Sequence, residues 1–183
     1  MRIIAGALKG RRLKPPTWVG LRPTSDKLRE TLFNVLAPRI VGSRLLDGYA
    51  GTGAIGIEAI SRGAAHVTFV EQDRRAAALI GENLRACAVV AGYTIEQGDV
   101  AVVLARAPRD AGFDVIVLDP PYGLSEVGEV LDVAGRLLGP DGVIVLERAT
   151  RTEPDVPSSL TRMRDIRSGD STLTLLKRVE ERK

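Results

Sequence analysis

The chain has 183 residues, of which 44% are hydrophobic and 27% are charged, and its formal net charge is +3. These proportions predict one soluble globular domain, and they exclude both a disordered chain and a protein with a membrane-spanning run of about 20 apolar residues. A single cysteine and a single histidine exclude an internal disulfide and a zinc site of the usual kind, so we expect no metal.

Residues 1–22 are predicted to form a small basic hairpin. The segments RIIAG and RRLKPP predict two short strands joined by a glycine-bounded turn. No apolar segment of the length of a secretory signal is present here, so we expect a cytoplasmic protein. Concentrated positive charge favours a polyanion such as RNA, although a short basic arm is often only a solvated segment. The basic residues that precede the first acid are Arg2, Lys9, Arg11, Arg12, Lys14 and Arg22.

Residues 23–183 are predicted to form one domain in which strands and helices alternate. A helix capped by Ser25 or Thr24 is expected to run to Pro38. After it, apolar runs such as VIVL predict strands covered on both faces and joined by right-handed helical crossovers. The predicted strands are 44–48, 66–71, 93–97, 113–119 and 142–148, and the predicted helices are 54–62, 74–90, 100–107 and 125–138.

The C-terminal segment is predicted to be an antiparallel hairpin. Two runs of alternating character between Leu160 and Val179 flank the turn residues Ser168-Gly169-Asp170. The fold class is therefore α/β, a doubly wound and mostly parallel Rossmann-like sheet with an antiparallel hairpin at its end. No apolar stripe is left over for a partner, so we expect a monomer.

Acidic residues lie at the ends of three of the predicted strands, at the edge where open α/β sheets bind ligands. The first strand leads into DGYAGTGAIG, whose glycines permit close approach of a cofactor. Glu71 ends the second strand 20 residues after Gly51, where a carboxylate accepts both hydroxyl protons of a ribose. Asp99 either orients an adenine amine or only caps the next helix. The candidate cofactor-binding residues are Asp47, Gly48, Tyr49, Gly51, Gly53, Glu71, Gln72, Gly98, Asp99 and Asp119.

Asp47 distinguishes between two classes of cofactor. A dinucleotide places its pyrophosphate at the helix N-terminus, where a nearby carboxylate would repel it. S-adenosylmethionine has no phosphate, and its sulfonium and ammonium groups are attracted by a carboxylate. The sequence therefore favours S-adenosylmethionine over NAD, with a nicotinamide-dependent oxidoreductase as the alternative.

The segment LDPPYG after the fourth strand predicts a site that orients an amine. The lone pair of an exocyclic nucleobase amine is delocalised into the ring, so its nitrogen must be positioned before it reacts. The Asp119 carboxylate and the Pro120 carbonyl would accept its two hydrogens, and consecutive prolines stiffen the loop. Tyr122 would stack on the base, which would be flipped out if it is paired. The predicted catalytic residues are Asp119, Pro120, Pro121 and Tyr122, and a rigid connection with a surface aromatic is the purely structural alternative.

The loop does not identify the amine, since adenine-N6, guanine-N2, cytosine-N4 and glutamine methyltransferases use related loops. Nearly the whole chain, however, resembles the bacterial small-subunit ribosomal RNA guanine-N2 methyltransferases called RsmD. The resemblance rests on MRIIAG, GRRL, LRPTSDKLRETLFNVL, LLDGYAGTGAIGIEAISRGA and LDPPYG. It implies a seven-stranded methyltransferase sheet, S-adenosylmethionine as donor, and a guanine of 16S rRNA as target, within an assembled or assembling small subunit.

The resemblance also implies two groups of RNA-binding residues. One group would lie near the mouth of the active site, and the other would grip RNA phosphates from the basic hairpin. The first group is Arg22, Thr24 and Arg29, and the second is Arg11, Arg12 and Lys14. A non-catalytic RNA-binding module that uses only the basic arm is a third hypothesis beside the methyltransferase and the oxidoreductase.

Overall fold

The structure is a computed structural model that describes residues 1–18, 25–108, 111–121 and 123–179. Within these ranges, helices and strands alternate from the first helix to the fifth strand, and two further strands follow. The elements are α1 Asp26–Ile40, β1 Arg44–Gly48, α2 Ala54–Ser61, β2 His66–Glu71, α3 Arg74–Ala86, β3 Tyr93–Gln97, α4 Val100–Arg106, β4 Phe113–Leu118, α5 Val127–Arg136, β5 Leu138–Ala149, β6 Leu160–Ser168 and β7 Ser171–Arg178. None of the helices in the described part is long and apolar enough to cross a membrane.

The described strands form a seven-stranded sheet in the order β3-β2-β1-β4-β5-β7-β6. The strands from β3 to β5 are parallel, whereas β7 pairs antiparallel with both β5 and β6. The predicted doubly wound sheet with an antiparallel hairpin is therefore confirmed. The strand order reverses between β1 and β4, and sheets of this kind bind ligands beyond the carboxyl ends of the strands at such a point.

Both faces of the sheet are covered, which explains the uninterrupted apolar run of β4. Val115 and Val117 belong to the cluster formed with α1, α2 and α3. Ile116 and Leu118 belong to the cluster formed with α4 and α5. Because successive side chains of a strand point to opposite faces, a strand between two helical layers must be apolar at every position.

The N-terminal hairpin packs against α2. Its two arms do not form regular strands, contrary to the prediction. One isolated antiparallel bridge joins Arg2 and Arg12. The backbone N–H groups of Ile4 and Ala5 instead donate to the carboxylate of Glu58 in α2, at 2.7 and 2.9 Å. These two donors are therefore bound to a side chain and do not extend the ladder between the arms.

Two helices end at positions that differ from the prediction. α3 ends at Ala86 and not at Val90, because Ala88 has a φ of 59° and the Val89 N–H returns to the Leu84 carbonyl at 2.9 Å. α1 continues past Pro38 to Ile40. Pro38 lies in the last turn, where its missing N–H removes only one helical hydrogen bond.

The boundary between α5 and β5 also differs from the prediction. β5 begins at Leu138, which pairs with Phe113 before the register shifts, and not at Gly142. α5 is shortened accordingly from the predicted 125–138 to Val127–Arg136. The sequence around Gly139-Pro140-Asp141 predicts a loop, but the neighbouring β4 provides a partner for the strand.

Candidate active site

A cavity of about 580 Å³ lies beyond the carboxyl ends of the central strands. Its volume is within the range of sites that bind small molecules. Its wall extends from Glu71, the last residue of β2, and Asp99, which follows β3, past Gly51 and Asp119, to Glu147 near the end of β5. The cavity therefore crosses the point where the strand order reverses.

The wall of this cavity is acidic. Among the described residues that line it there is no Lys, Arg or His, whereas Glu71, Asp99, Asp119, Glu126 and Glu147 each contribute a carboxyl group. Such a wall suits a cationic ligand and has the wrong charge for a pyrophosphate. The geometry thus argues against the nicotinamide alternative. No group of His, Cys, Asp and Glu in the described ranges is arranged to hold a metal ion.

Glu71 holds the glycine turn between β1 and α2. Its Oε2 accepts a hydrogen bond from the Gly51 N–H at 2.7 Å, and its Oε1 accepts one from the Asp73 N–H at 2.8 Å. These bonds fix the carboxylate at the cavity wall. The spacing of 20 residues between Gly51 and Glu71 thus corresponds to a direct contact.

Glycines in this turn allow α2 to lie close to the sheet. Gly53, which precedes the helix, has a φ of 78°, a conformation that side chains with a Cβ rarely adopt. At Gly56, a Cβ would lie only 2.2 Å from Cε1 of Phe69. The glycines therefore serve the close packing of helix and strand, and neither residue lines the cavity.

Asp47 lies beneath the cavity and does not line it. Its side chain is 1% exposed, and its Oδ2 accepts a hydrogen bond from the Gly56 N–H at 2.9 Å. Burial raises the pKa of Asp47 well above its ordinary value, the Gly56 hydrogen bond lowers it, and the charges of Asp119 and Glu71 raise it further. In this structure the Asp47 side chain therefore binds the backbone of α2 and does not face the cavity in which a donor would bind.

Tyr49 lines the cavity from the first residue after β1. It has a φ of 63°, unusual for a residue with a side chain. Burial, followed by the charges of Asp99 and Glu126, raises the pKa of Tyr49 to about 12. Its hydroxyl is therefore protonated at neutral pH and available as a donor at the acidic wall.

Asp119 follows β4 directly and places the loop with consecutive prolines at the middle of the cavity. Its backbone N–H donates to the Gly48 carbonyl at 3.4 Å, which ties this loop to the end of β1. The side chains of Asp119, Pro120 and Pro121 line the cavity. The fourth predicted catalytic residue, Tyr122, lies outside the described residues.

The structure brings most of the predicted catalytic and cofactor-binding residues together. The predicted residues that line the cavity are Tyr49, Gly51, Glu71, Gln72, Asp99, Asp119, Pro120 and Pro121. Gly48, Gly53 and Gly98 lie behind the wall with Asp47. Asp99 also caps α4, since its Oδ1 accepts a hydrogen bond from the Val102 N–H at 3.1 Å. Asp99 is thus a helix cap that also lines the cavity, and its contact with an adenine amine stays a prediction.

Arg29 does not lie where an RNA-binding residue must. Its side chain is 0% exposed, and its Nη2 donates to the Arg2 carbonyl at 2.8 Å and to Asp26 at 2.7 Å. The prediction that Arg29 contacts RNA directly is wrong, because the helix turns this side chain under the N-terminal hairpin. Arg22 and Thr24 lie outside the described residues.

The basic side chains of the hairpin are exposed. These residues are Arg2, Lys9, Arg11, Arg12 and Lys14. Lys14 also forms an ion pair, since its Nζ lies 2.9 Å from Glu82 of α3. The hairpin therefore presents positive charge to solvent while its backbone is held by Glu58.

The structure also places residues at the cavity that the sequence analysis left without a role. These residues are Ser25, which caps α1, Leu28 of α1, Glu147 of β5 and Ser171 of β7. Glu147 carries the same signal as the predicted acids, a carboxylate near the carboxyl end of a strand. The search for acids at strand ends, extended to the fifth predicted strand, would have identified Glu147.

Known proteins resemble this chain over nearly its full length. A family model described as Conserved hypothetical protein 95 matches residues 1–177. Ribosomal RNA small subunit methyltransferase D of Haemophilus influenzae is 40% identical over 161 residues, which are 86% of this chain and 81% of the relative. The protein of the same name from Escherichia coli K12 is 35% identical over 186 residues, covering 97% and 90%. The solved structure of yhhF from Escherichia coli has a TM-score of 0.84 and 33% identity, with 99% of each chain covered.

Proposed function

Because the chain belongs to the ribosomal RNA small subunit methyltransferase D (RsmD) family, we propose that it transfers a methyl group from S-adenosylmethionine to the exocyclic N2 of a guanine in 16S rRNA. One observation carries the proposal. The loop of Asp119 and Pro120 lies in the same acidic cavity as Gly51 and Glu71. A single ligand can therefore extend from the glycine turn to the loop that would orient an amine.

The cavity fits S-adenosylmethionine in size and in charge. Its five carboxyl groups and the lack of a basic residue in the described wall favour a ligand with a sulfonium and an ammonium group. We assign the donor end to Tyr49, Gly51, Glu71, Gln72 and Asp99. When bound, S-adenosylmethionine supplies a methyl group activated by a positively charged sulfur.

Asp47 contributes to donor binding through its charge and through the turn that it holds. A cation in the cavity would lower the pKa of this buried carboxyl, and by reciprocity the ionised form of Asp47 would bind a cation more tightly. Its hydrogen bond to the Gly56 N–H also fixes the start of α2. Asp47 is therefore a positioning residue for the donor and does not form part of the cavity wall.

Asp119 and Pro120 orient the substrate nitrogen. The Asp119 carboxylate accepts one N–H of the amine, and the Pro120 carbonyl accepts the other. The lone pair of the nitrogen is then directed away from both acceptors. The nitrogen becomes acidic only once the methyl group has been transferred, so a strong base is not required. The contribution of this loop is positioning, which lowers the barrier by fixing the reacting geometry in advance.

The N-terminal arm, residues 1–22, is the proposed RNA-binding segment. Its exposed cations would neutralise phosphates, and its attachment to Glu58 would keep them at a fixed position beside the domain. We further propose that the substrate is an assembled or assembling small subunit, that the protein acts as a monomer, and that it works in the cytoplasm, where rRNA is made and assembled.

Methyl transfer to small subunits tests this function. Subunits that lack the modification, incubated with labelled S-adenosylmethionine, should gain one methyl group per 16S rRNA, recovered as N2-methylguanosine. Asp119→Ala, which removes the acceptor oxygens, should lower kcat by about 100-fold or more while S-adenosylhomocysteine still raises the Tm. Asp141→Ala, at an exposed aspartate outside the cavity, is the matched control.

The outcomes separate the remaining hypotheses. Recovery of N6-methyladenosine would support the adenine alternative. A rise in Tm with NADH and none with S-adenosylhomocysteine would support the oxidoreductase. Salt-sensitive RNA binding without affinity for either ligand would support the non-catalytic module. An equal rate for Asp119→Ala and the wild type would contradict the proposed role of the loop.

A further inference from the structure

Glu147 is a carboxylate at the end of the cavity opposite the proposed donor residues. It is 5% exposed, and it lines the cavity together with Ser25, Leu28 and Ser171. Glu71 and Asp99 lie at the other end, at the carboxyl ends of β2 and β3. In the sheet order, Asp119 separates the two ends, because β4 lies between β1 and β5.

Strand register places Glu147 beside Asp119. β4 and β5 are parallel, and Leu118 pairs with Leu146, so the next residues of the two strands are Asp119 and Glu147. Val117 and Val145, two residues earlier, lie in the same apolar cluster, and the period of a strand puts Asp119 and Glu147 on that face as well. Adjacent strands are roughly 4.8 Å apart, so the two carboxylates stand side by side at the cavity wall.

Two neighbouring acceptors match two neighbouring donors on the edge of guanine. If Asp119 and Pro120 hold the N2 amine, as the proposed function requires, the adjacent ring position of the base is N1. In guanine N1 carries a hydrogen, whereas in adenine and in 2-aminopurine N1 presents a lone pair. A carboxylate accepts a hydrogen bond from the first and repels the second.

We propose that Glu147 accepts a hydrogen bond from N1–H of the target base and thereby selects guanine. This inference rests on the proposed function, and it deepens that function by naming the residue that recognises the base. Glu147 does not touch the transferred methyl group, and its role is substrate specificity. A buried group that hydrogen-bonds a substrate discriminates strongly, since the wrong substrate leaves a polar group without a partner.

The substrate 2-aminopurine tests the assignment directly, because it keeps the amine at C2 but has no hydrogen on N1. After the methylated nucleotide has been mapped, small subunits are reconstituted with guanine, 2-aminopurine or 6-thioguanine at that position. The 6-thioguanine subunits keep N1–H and change only the substituent at C6. The wild type should methylate guanine and 6-thioguanine with kcat/KM at least about tenfold above that for 2-aminopurine.

Variants of Glu147 should reduce this preference. In Glu147→Gln the amide offers a donor to the bare N1 of 2-aminopurine, and the preference for guanine should fall by about tenfold or more. Glu147→Ala should lower kcat/KM for guanine without lowering it for 2-aminopurine. Both variants should keep the rise in Tm with S-adenosylhomocysteine. Glu96→Gln, an exposed strand glutamate outside the cavity, should keep the wild-type preference.

The results distinguish failure of this inference from failure of the proposed function. Equal methylation of guanine and 2-aminopurine by the wild type would overturn the role of Glu147 alone, even if no variant folds. A preference unchanged within twofold in folded Glu147→Gln and Glu147→Ala would do the same. No methyl transfer to guanine subunits by the wild type would overturn both.

Discussion

Glu58 holds the N-terminal hairpin on the domain, and its replacement by glutamine should release the hairpin. The Glu58 side chain is 0% exposed, and its carboxylate accepts hydrogen bonds from Ile4 N–H, Ala5 N–H and Arg62 Nε–H at 2.7 to 2.9 Å. In Glu58→Gln one oxygen becomes an NH2 group, which cannot accept a hydrogen bond. At least one donor therefore loses its partner.

The magnitude follows from these contacts. A hydrogen bond to a charged group contributes about 1.5–3 kcal/mol, and a buried donor without a partner costs a similar amount, so we expect docking to weaken by about 2–4 kcal/mol. Since about 1.4 kcal/mol is a factor of ten, amide exchange at Ile4 and Ala5 should accelerate by about 30- to 1000-fold. Hydrogen exchange resolved by residue measures this effect directly.

A second hairpin contact supplies the control. Glu82→Gln removes the exposed ion pair with Lys14, and exposed pairs contribute little, so exchange at Ile4 and Ala5 should stay near the wild-type rate. Affinity for small subunits should fall in Glu58→Gln, because the basic arm is no longer held in place. Unchanged exchange at Ile4 and Ala5 in Glu58→Gln would refute the reasoning that this carboxylate anchors the hairpin.

Three further perturbations have defined outcomes. The raised pKa of Asp47 stabilises the fold below about pH 3.8, and this contribution is lost as the pH rises toward the folded-state pKa. In thermal melts between about pH 4 and 8, the Tm of Asp47→Asn should therefore fall less with rising pH than the Tm of the wild type, and parallel curves would contradict the shift. Gly56→Ala places a Cβ 2.2 Å from Phe69 and should lower the free energy of unfolding in urea by about 1–3 kcal/mol. Gly81→Ala, whose Cβ would have ordinary contacts in α3, should raise it by up to about 1 kcal/mol, and equal effects of the two substitutions would refute the packing argument. Arg11→Ala and Arg12→Ala should each reduce the salt slope of subunit binding by about one, as measured by filter binding, and an unchanged slope would exclude phosphate contacts.

Features that depend on neighbouring positions in the chain were predictable. The apolar run of β4 indicates a strand covered on both faces, and the structure covers both. The acid 20 residues after Gly51 indicates a carboxylate beside the glycine turn, and Glu71 contacts Gly51. These contacts are predictable from the sequence because the period of a strand and the length of one crossover determine where the residues meet.

Features that depend on the packing of distant segments were not predictable. Nothing near Arg29 indicates that it lies buried under the hairpin, 27 residues from the carbonyl of Arg2 that it binds. The same holds for Glu58, which binds backbone groups more than 50 residues away. Glu147 stands beside Asp119 only because β5 follows β4 in the sheet, an order that no local pattern contains.

Nucleoside mass spectrometry of 16S rRNA tests the central claim most directly. The rRNA is taken from cells with the protein, from cells without it, and from cells that carry Asp119→Ala in its place. We predict that the second and third samples contain one N2-methylguanosine per 16S rRNA fewer than the first. An equal content of N2-methylguanosine in all three samples would contradict the account.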